Sequence, residues 1–509
     1  GELTGLGARR AVSYIDLSPL EDDAAEELLS RLIGDDRGLA EADAVRSLLA
    51  ACAGLPIALC VTGSLIAARP RRGIARLVAE LGDERRRLAA LSLDDDLSIT
   101  AVFNMAYRGL TPFAQRCYRI VGTHPGDGDF GVAAVLAAFE APEREVGTGL
   151  DELVAAGLLT EIDDGRYLPH TLIRLHAREL ATESAAEIER ALRGVLRYYR
   201  DRAVVAGHAM MPGRGWLAMF FAGDLVGSPP AEPAAWMATE RVNLLAVVEA
   251  LFGDERLLDV CVLAIALWPL HEREKYVDDL VAVNERAVTA AQRLDRPDLV
   301  ALATVQLGFG ALHGGDARRA HAVFDTAVEA AERSGITELI GTAVEATGLA
   351  AVAAGDLAAA ETLLRRNLAF AVTIGDPRRL ALARLHLAKA VSPEESEKLL
   401  RQSSIGFLGL DPVDDYNAAK VALWLGRTLT RLRRFEEADG CLAEALAVMR
   451  AEVKPFDEAQ ILEATGELDL ERGKSHDAVL RFQESLALFD AGGFMGDVRR
   501  VREKLAATG

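Results

Sequence analysis

Aromatic residues are scarce, at 6% of a 509-residue chain that is half hydrophobic. The apolar mass is therefore Ala, Leu and Val, which favour helices and argue against an all-β fold. Cysteines number five, at positions Cys52, Cys60, Cys117, Cys261 and Cys441. Odd in number and without a C-x-x-C pair, they suggest neither a zinc site nor a disulfide framework, and a cytoplasmic location fits best. Cations are outnumbered, 57 Lys and Arg against 77 Asp and Glu, giving a net charge of −20. Such a surface repels a polyanion unless a basic patch is concentrated locally, so direct nucleic-acid binding is not expected. The longest uncharged stretch, Ser47 to Ala68, is broken by Gly54, Pro56, Thr62, Gly63 and Ser64. It reads as buried helix, and no membrane contact is expected.

Catalytic signatures are missing as well. The chain has no G-x-x-x-x-G-K-[ST] phosphate loop, no H-E-x-x-H, no G-x-S-x-G and no G-x-G-x-x-G after a strand. Its nine histidines are scattered, and His170 and His176, six apart, do not share a helical face. Neither a metal site nor an enzyme is expected. The chain begins at Gly1 without a basic segment leading into an apolar one, and reads as a portion of a longer protein.

At about 100 to 200 residues per domain, the length points to about three to four domains. Ala11 to Leu17 alternates like a strand and closes a first segment, residues 1–18. Residues 19–108 carry helical periodicity over Ala24 to Ile33, Ala42 to Ala53, Pro56 to Ala68, Ile74 to Leu81 and Ile99 to Tyr107. Residues 109–183 read as a winged helix: three helices near Pro112 to Val121, Phe130 to Ala138 and Glu143 to Ala156, then a hairpin. In that hairpin Arg166-Tyr167-Leu168 is expected to pair with Leu158-Leu159-Thr160 across the Asp163-Asp164-Gly165 turn. Residues 111–180 hold six Arg and no Lys against eleven acids, with Glu143, Glu145, Asp151 and Glu152 on the recognition helix, which argues against DNA readout. Residues 184–256 form a helical linker with a Pro- and Gly-rich stretch. Within it Met210, Met211, Trp216, Met219, Phe220 and Phe221 are too apolar for a free linker and are expected to dock.

Beyond residue 257 the sequence repeats. Trp268, Gly308, Gly348, Ala388, Gly426 and Gly466 fall in one register, with spacings of 40, 40, 40, 38 and 40. Twelve residues after each glycine comes Ala320, Ala360, Ala438 or Ala478, and four further on Phe324, Leu364, Leu442 or Phe482. Small residues let two antiparallel helices approach while the large one fills the gap between them. This resembles the tetratricopeptide (TPR) pattern, stretched from about 34 residues to about 40. The fold class expected is mostly all-α: a helical bundle, a winged helix with a small β-hairpin, and over 257–509 an α-solenoid whose concave face is made of first helices.

Two short motifs carry a further resemblance. Gly54-Leu55-Pro56-Ile57-Ala58-Leu59 resembles the GLPLAL motif of NB-ARC proteins, nucleotide-switch ATPases of the STAND class. The segment Arg166 to Arg174, RYLPHTLIR, is similar to that family's R-Y-x-M-H-D-L-[IV]-R, with Pro169 in place of Met and Thr171 in place of Asp. Ala235 to Leu244 is similar to actinobacterial regulators of the SARP type with this layout. The resemblance implies that in an intact parent Pro56 rests on the base of bound ATP or ADP, and that His170 contacts the β-phosphate. It also implies that the parent's nucleotide-binding subdomain is a partner of this chain, which by itself has no cofactor. The function implied is effector sensing within a transcriptional regulator; the alternative is a constitutive TPR scaffold.

On the concave face the repeat register places His313, Glu345, Lys420, Arg427, Arg431, Glu463 and Glu467, with Trp424 beside the cations. A protein or small-molecule effector is the partner expected there. Lys420, Arg427 and Arg431 suit a carboxylate or acidic peptide, and an ordinary solvated charged face is the alternative.

Overall fold

The computed structural model describes residues 19–33, 41–52, 54–56, 59, 63, 66, 71, 73–82, 103, 106–139, 141–182 and 185–508. The strand expected over Ala11 to Leu17 lies outside the described residues. Two compact units divide the chain, one reaching Tyr199 and returning for Glu240–Val247, the other taking Arg200–Thr239 and the residues from Val248 on.

The first unit opens with α1 (Asp22–Ile33), α2 (Ala42–Cys52) and α3 (Ile74–Gly82). Ala25 and Leu29, one turn apart on α1, are buried with Leu48, Leu59 and Ile74 in one apolar core. Gly54 has φ +68°, and a Cβ there would meet the Leu20 carbonyl at 2.5 Å, so glycine is required. The winged helix follows in the order α4 (Pro112–Gly122), β1 (Phe130–Gly131), α5 (Val132–Leu136), α6 (Glu143–Ala155), β2 (Thr160–Asp163), β3 (Arg166–Leu168) and α7 (Thr171–Ala181). Thr111 caps α4, with Pro112 in the first turn where no amide is needed.

Two expectations for the wing are corrected. Phe130 and Gly131 form a strand instead of starting a helix, pairing antiparallel with Tyr167 and Arg166 in a sheet of order β1-β3-β2. Arg166-Tyr167-Leu168 pairs with Thr160, Glu161 and Asp163; Thr160 is a partner as expected, whereas Leu158 and Leu159 are not. Leu158 and Leu159 are spent on the core after Gly157 turns the chain at φ +70°. The hairpin therefore starts later, with an irregular register between Glu161 and Asp163.

Arg166 leaves β3 toward Asp129 (2.5 Å) and Glu240 (2.6 Å), and Asn243 donates to the Asp129 carbonyl at 2.8 Å. These bonds explain why Glu240–Val247 belongs to the first unit. Tyr199 donates to Glu240 (3.3 Å) and lies 3.0 Å from Nε2 of His124, which is buried among carbonyl-bound Arg174 and Phe130.

Between α7 and the repeats lie α8 (Ala185–Met210), α9 (Trp216–Phe221), α10 (Pro233–Thr239) and α11 (Arg241–Gly253); from Leu257 on, the described residues of the second unit form six helix pairs and one further helix. The first helices are α12 (Leu257–Glu274), α14 (Pro297–His313), α16 (Thr337–Ala354), α18 (Pro377–Leu387), α20 (Asp415–Arg431) and α22 (Pro455–Glu471). Their partners are α13 (Val277–Arg293), α15 (Ala317–Ser334), α17 (Leu357–Ile374), α19 (Pro393–Leu408), α21 (Phe435–Ala451) and α23 (Ser475–Ala491), and α24 (Met495–Thr508) follows. The repeat register holds: a Cβ on Gly308, Gly348, Gly426 or Gly466 would strike Phe324, Leu364, Leu442 or Phe482 at 2.3 to 2.8 Å. Ala320, Ala360, Ala438 and Ala478 are fully buried. Where a unit lacks the turn glycine, Lys275 and Arg433 take left-handed φ angles of 57° and 59°.

The solenoid curls back on itself. Lys454 reaches Glu274 at 2.6 Å, Lys275 lies 5.3 Å from the Phe456 ring, and the Gly315 backbone approaches that of Gly496. Ahead of the repeats, Pro212–Arg214 makes a 3-10 turn and Trp216–Phe221 a short helix, with Trp216, Leu217 and Phe221 buried. Met210, Met211 and Phe220 are half-buried, whereas Met219 is exposed.

Candidate functional site

The curl lines a partly open cavity of about 900 Å³, and most of its wall is drawn from first helices. That volume suits a ligand of drug or cofactor size. Seven helices in succession contribute: Trp268 and Glu272, then Phe309 and His313, Glu345, Arg379 with His386 and Lys389, Tyr416 with Lys420 and Trp424, Phe456, and Arg500. One part of the wall comes from outside the repeats. Arg214 lies 4.0 Å above the Trp268 ring, and Arg379 lies 5.4 Å above Trp216, so the segment around residues 211–219 is seated inside the concave face.

Polar groups on adjacent first helices pair one repeat apart. Glu272 meets His313 at 2.8 Å, Glu345 meets His386 at 2.9 Å, and the Tyr416 hydroxyl donates to Asp457 at 3.0 Å. Burial alone would raise the Glu272 carboxyl, but Lys275 at 2.9 Å and His313 hold it well below the usual carboxylate range. Glu345 is likewise lowered against its burial by His386 and by the Asn367 amide at 2.9 Å. Both histidines are lowered, chiefly by burial. Lys389 is brought down to about 7, first by burial and then by the nearby Lys420 ammonium.

Of the residues expected on the concave face, His313, Glu345, Lys420 and Trp424 line the cavity. Arg427, Glu463 and Glu467 are brought together with one another: Arg427 lies 3.7 Å from Glu463 and 3.8 Å from Glu467. Glu463 is fully buried, bonded to Arg500 (2.8 Å) and Lys504 (2.6 Å), so this group is an inter-helix clamp with no free cation to offer. Arg431 is exposed and does not line the cavity, which removes it from the expected carboxylate site; at the end of α20 it stands one turn beyond Arg427. Trp216 is expected to dock but not to line a site, and Arg214, Glu272, Arg379, His386, Lys389 and Tyr416 are not singled out by the sequence pattern. The spacing of 41 between Glu272 and His313, and again between Glu345 and His386, is the signal that marks two of these.

Pro56 has helical backbone and is exposed. His170 is the N-cap of α7, its Nδ1 accepting from the Leu172 amide at 3.4 Å. No group of His, Cys, Asp and Glu among the described residues has the arrangement of a metal site. No described helix is long and apolar enough to cross a membrane.

Residues 417–491 match the tetratricopeptide repeat family. The solenoid is TPR-like, and the match falls on its fifth and sixth helix pairs. The chain is also 32% identical over 252 residues to the regulatory protein AfsR of Streptomyces coelicolor, covering 48% of this chain and 25% of that protein. To AfsR of Streptomyces griseus it is 33% identical over 238 residues, 46% of this chain and 24% of that one. The chain thus spans about a quarter of the length of these relatives. Among solved structures, a STAND protein with a tetratricopeptide repeat sensor from Pyrococcus horikoshii aligns with 97% of this chain and 76% of its own, at 13% identity and a TM-score of 0.38. A Rap protein in complex with competence and sporulation factor covers 62% of this chain and 97% of its own, at 10% identity and a TM-score of 0.39.

Proposed function

We propose that this chain is the sensing portion of a STAND-type transcriptional regulator, in which the TPR cavity binds an effector and the winged helix relays occupancy to a nucleotide switch. The observation that carries the reading is the cavity of about 900 Å³ inside the solenoid. Its wall holds tryptophans and buried charged groups beyond what helix stacking requires, since the Gly, Ala and Phe or Leu positions already make the interhelix core. Similarity to regulatory proteins over about half of the chain supports the same reading. Effector binding drives such a switch only through different affinities for its two states.

In this reading ATP or ADP belongs to the intact parent, where Pro56 and His170 touch it, and this chain is not an enzyme. The acidic winged helix serves as a relay and makes no contact with nucleic acid. Native mass spectra of the chain purified from its source cells test the proposal. A bound mass present in the wild type and absent from Trp424→Ala is expected. Identical, ligand-free spectra for both would leave a constitutive scaffold as the better description.

A further inference from the structure

The inference here rests on the cavity being a ligand site, and names the ligand's chemistry. Lys389 follows Ala388 as Arg427 follows Gly426, so the two cations share a position in the repeat register, Lys389 just past the end of α18 and Arg427 within α20. Arg427 finds Glu463 and Glu467 on the next helix. In the same register the positions facing Lys389 are Leu423 and Arg427, which offer no carboxylate. Its ammonium lies instead 5.0 Å from the Trp424 ring, and that of Lys420 lies 4.5 Å from the Tyr416 ring. The carboxylates that act on Lys389, Glu345 and Glu272, are already engaged by His386 and Asn367 and by Lys275 and His313. Two ammoniums in one cavity, flanked by aromatic rings and with no carboxylate at ion-pair distance among the described residues, leave a place for an anion; the further acid in this part of the wall, Asp457, is held by the Tyr416 hydroxyl.

We propose that Lys389 and Lys420 bind the acidic group of a small organic anion whose flat unsaturated body lies against Trp424 and Tyr416. A carboxylate, sulfonate or phosphate meets the shared requirement, a delocalised negative charge that accepts from two ammoniums.

Two fluorescent probes of nearly the same shape separate this from the parent reading: 8-anilinonaphthalene-1-sulfonate, an anion, and N-phenyl-1-naphthylamine, which lacks the sulfonate. The full chain should bind one anionic probe per molecule at least tenfold more tightly than the neutral one. Lys389→Met and Lys420→Met should each remove at least that preference, while neutral-probe affinity stays within twofold. Equal affinity of the wild-type chain for both probes overturns the anion site and leaves the cavity standing; this comparison needs no variant to fold. Binding of neither probe overturns the cavity reading as well.

Discussion

Gly308 sits so close to Phe324 that a Cβ on it would lie 2.3 Å from the ring carbon Cε1. The same pairing recurs at Gly466 and Phe482, at 2.6 Å. It sets the distance between the two helices of a repeat, because the backbone of one is the surface on which the ring of the other rests.

Gly308→Ala is therefore expected to destabilise the chain by about 1–3 kcal/mol, overpacking outweighing the gain of about 1 kcal/mol in helix propensity. Adding Phe324→Leu should recover part of the loss. In the first unit Gly147 supplies the control, since a Cβ there would have no neighbouring atom within 4 Å. Gly147→Ala should stabilise by about 0.4–1 kcal/mol. Urea midpoints of the three variants check all of this.

Acid should act on the two units in different pH windows. In the first, burial lowers His124 and His176 to about 4. The unfolded chain binds more protons between 4 and 6.5, so stability is fully present above 6.5 and is lost as pH falls toward 4, on the order of 3 kcal/mol per histidine. In the second, Glu463 is held at about 2 against its burial by Arg500, Arg427 and Lys504. Its contribution, also on the order of 3 kcal/mol, is present above 4.5 and disappears as pH falls toward 2. Glu463→Gln should abolish the lower-pH loss alone, which chemical denaturation from pH 7 to pH 2 with a probe in each unit would read.

Lys389→Met should raise stability at pH 7 by about 1 kcal/mol or more, because a half-buried ammonium with no carboxylate at ion-pair distance is exchanged for an apolar chain of similar length. Lys420, Arg427, His386, Glu345 and Glu272 surround it. With the folded value near 7 and the ordinary one at 10.5, wild-type stability should rise with pH across that interval. The gain from the substitution should shrink accordingly by pH 10, as measured by urea midpoints at both pH values.

The segment around Trp216 should behave as part of the solenoid. Slow amide exchange from Trp216 to Phe221 is expected, and Trp216→Ala should cost about 3 kcal/mol through lost burial. Exchange at random-coil rates throughout the segment would show that it does not stay docked.

The repeats are legible in the sequence because their code is steric and periodic: Gly308, Gly348, Gly426 and Gly466 announce a close approach wherever a large side chain follows sixteen residues later. The strand at Phe130 is not legible, since two residues cannot show alternation and their pairing is decided by Tyr167 and Arg166, far along the chain. At the site, residues one repeat apart can be placed on a common face, but whether a cation is free depends on the neighbouring helix. Arg427 reads as available and is clamped by Glu463; Lys389 sits in a weak repeat whose register position is marked by Ala388 instead of glycine, and has no such acid opposite. Nor does any periodicity foretell that Arg214, from a Pro- and Gly-rich stretch, lies across Trp268.

The bond from Lys454 to Glu274 gives the stack of repeats a mechanical character that an open solenoid lacks. In an open spring, small rotations between neighbours add along the axis, and a disturbance at one repeat is diluted into overall lengthening. With its first and sixth helix pairs clasped, the stack is a loop, and a rotation at one joint must be compensated at the others. Girth replaces length as the soft coordinate.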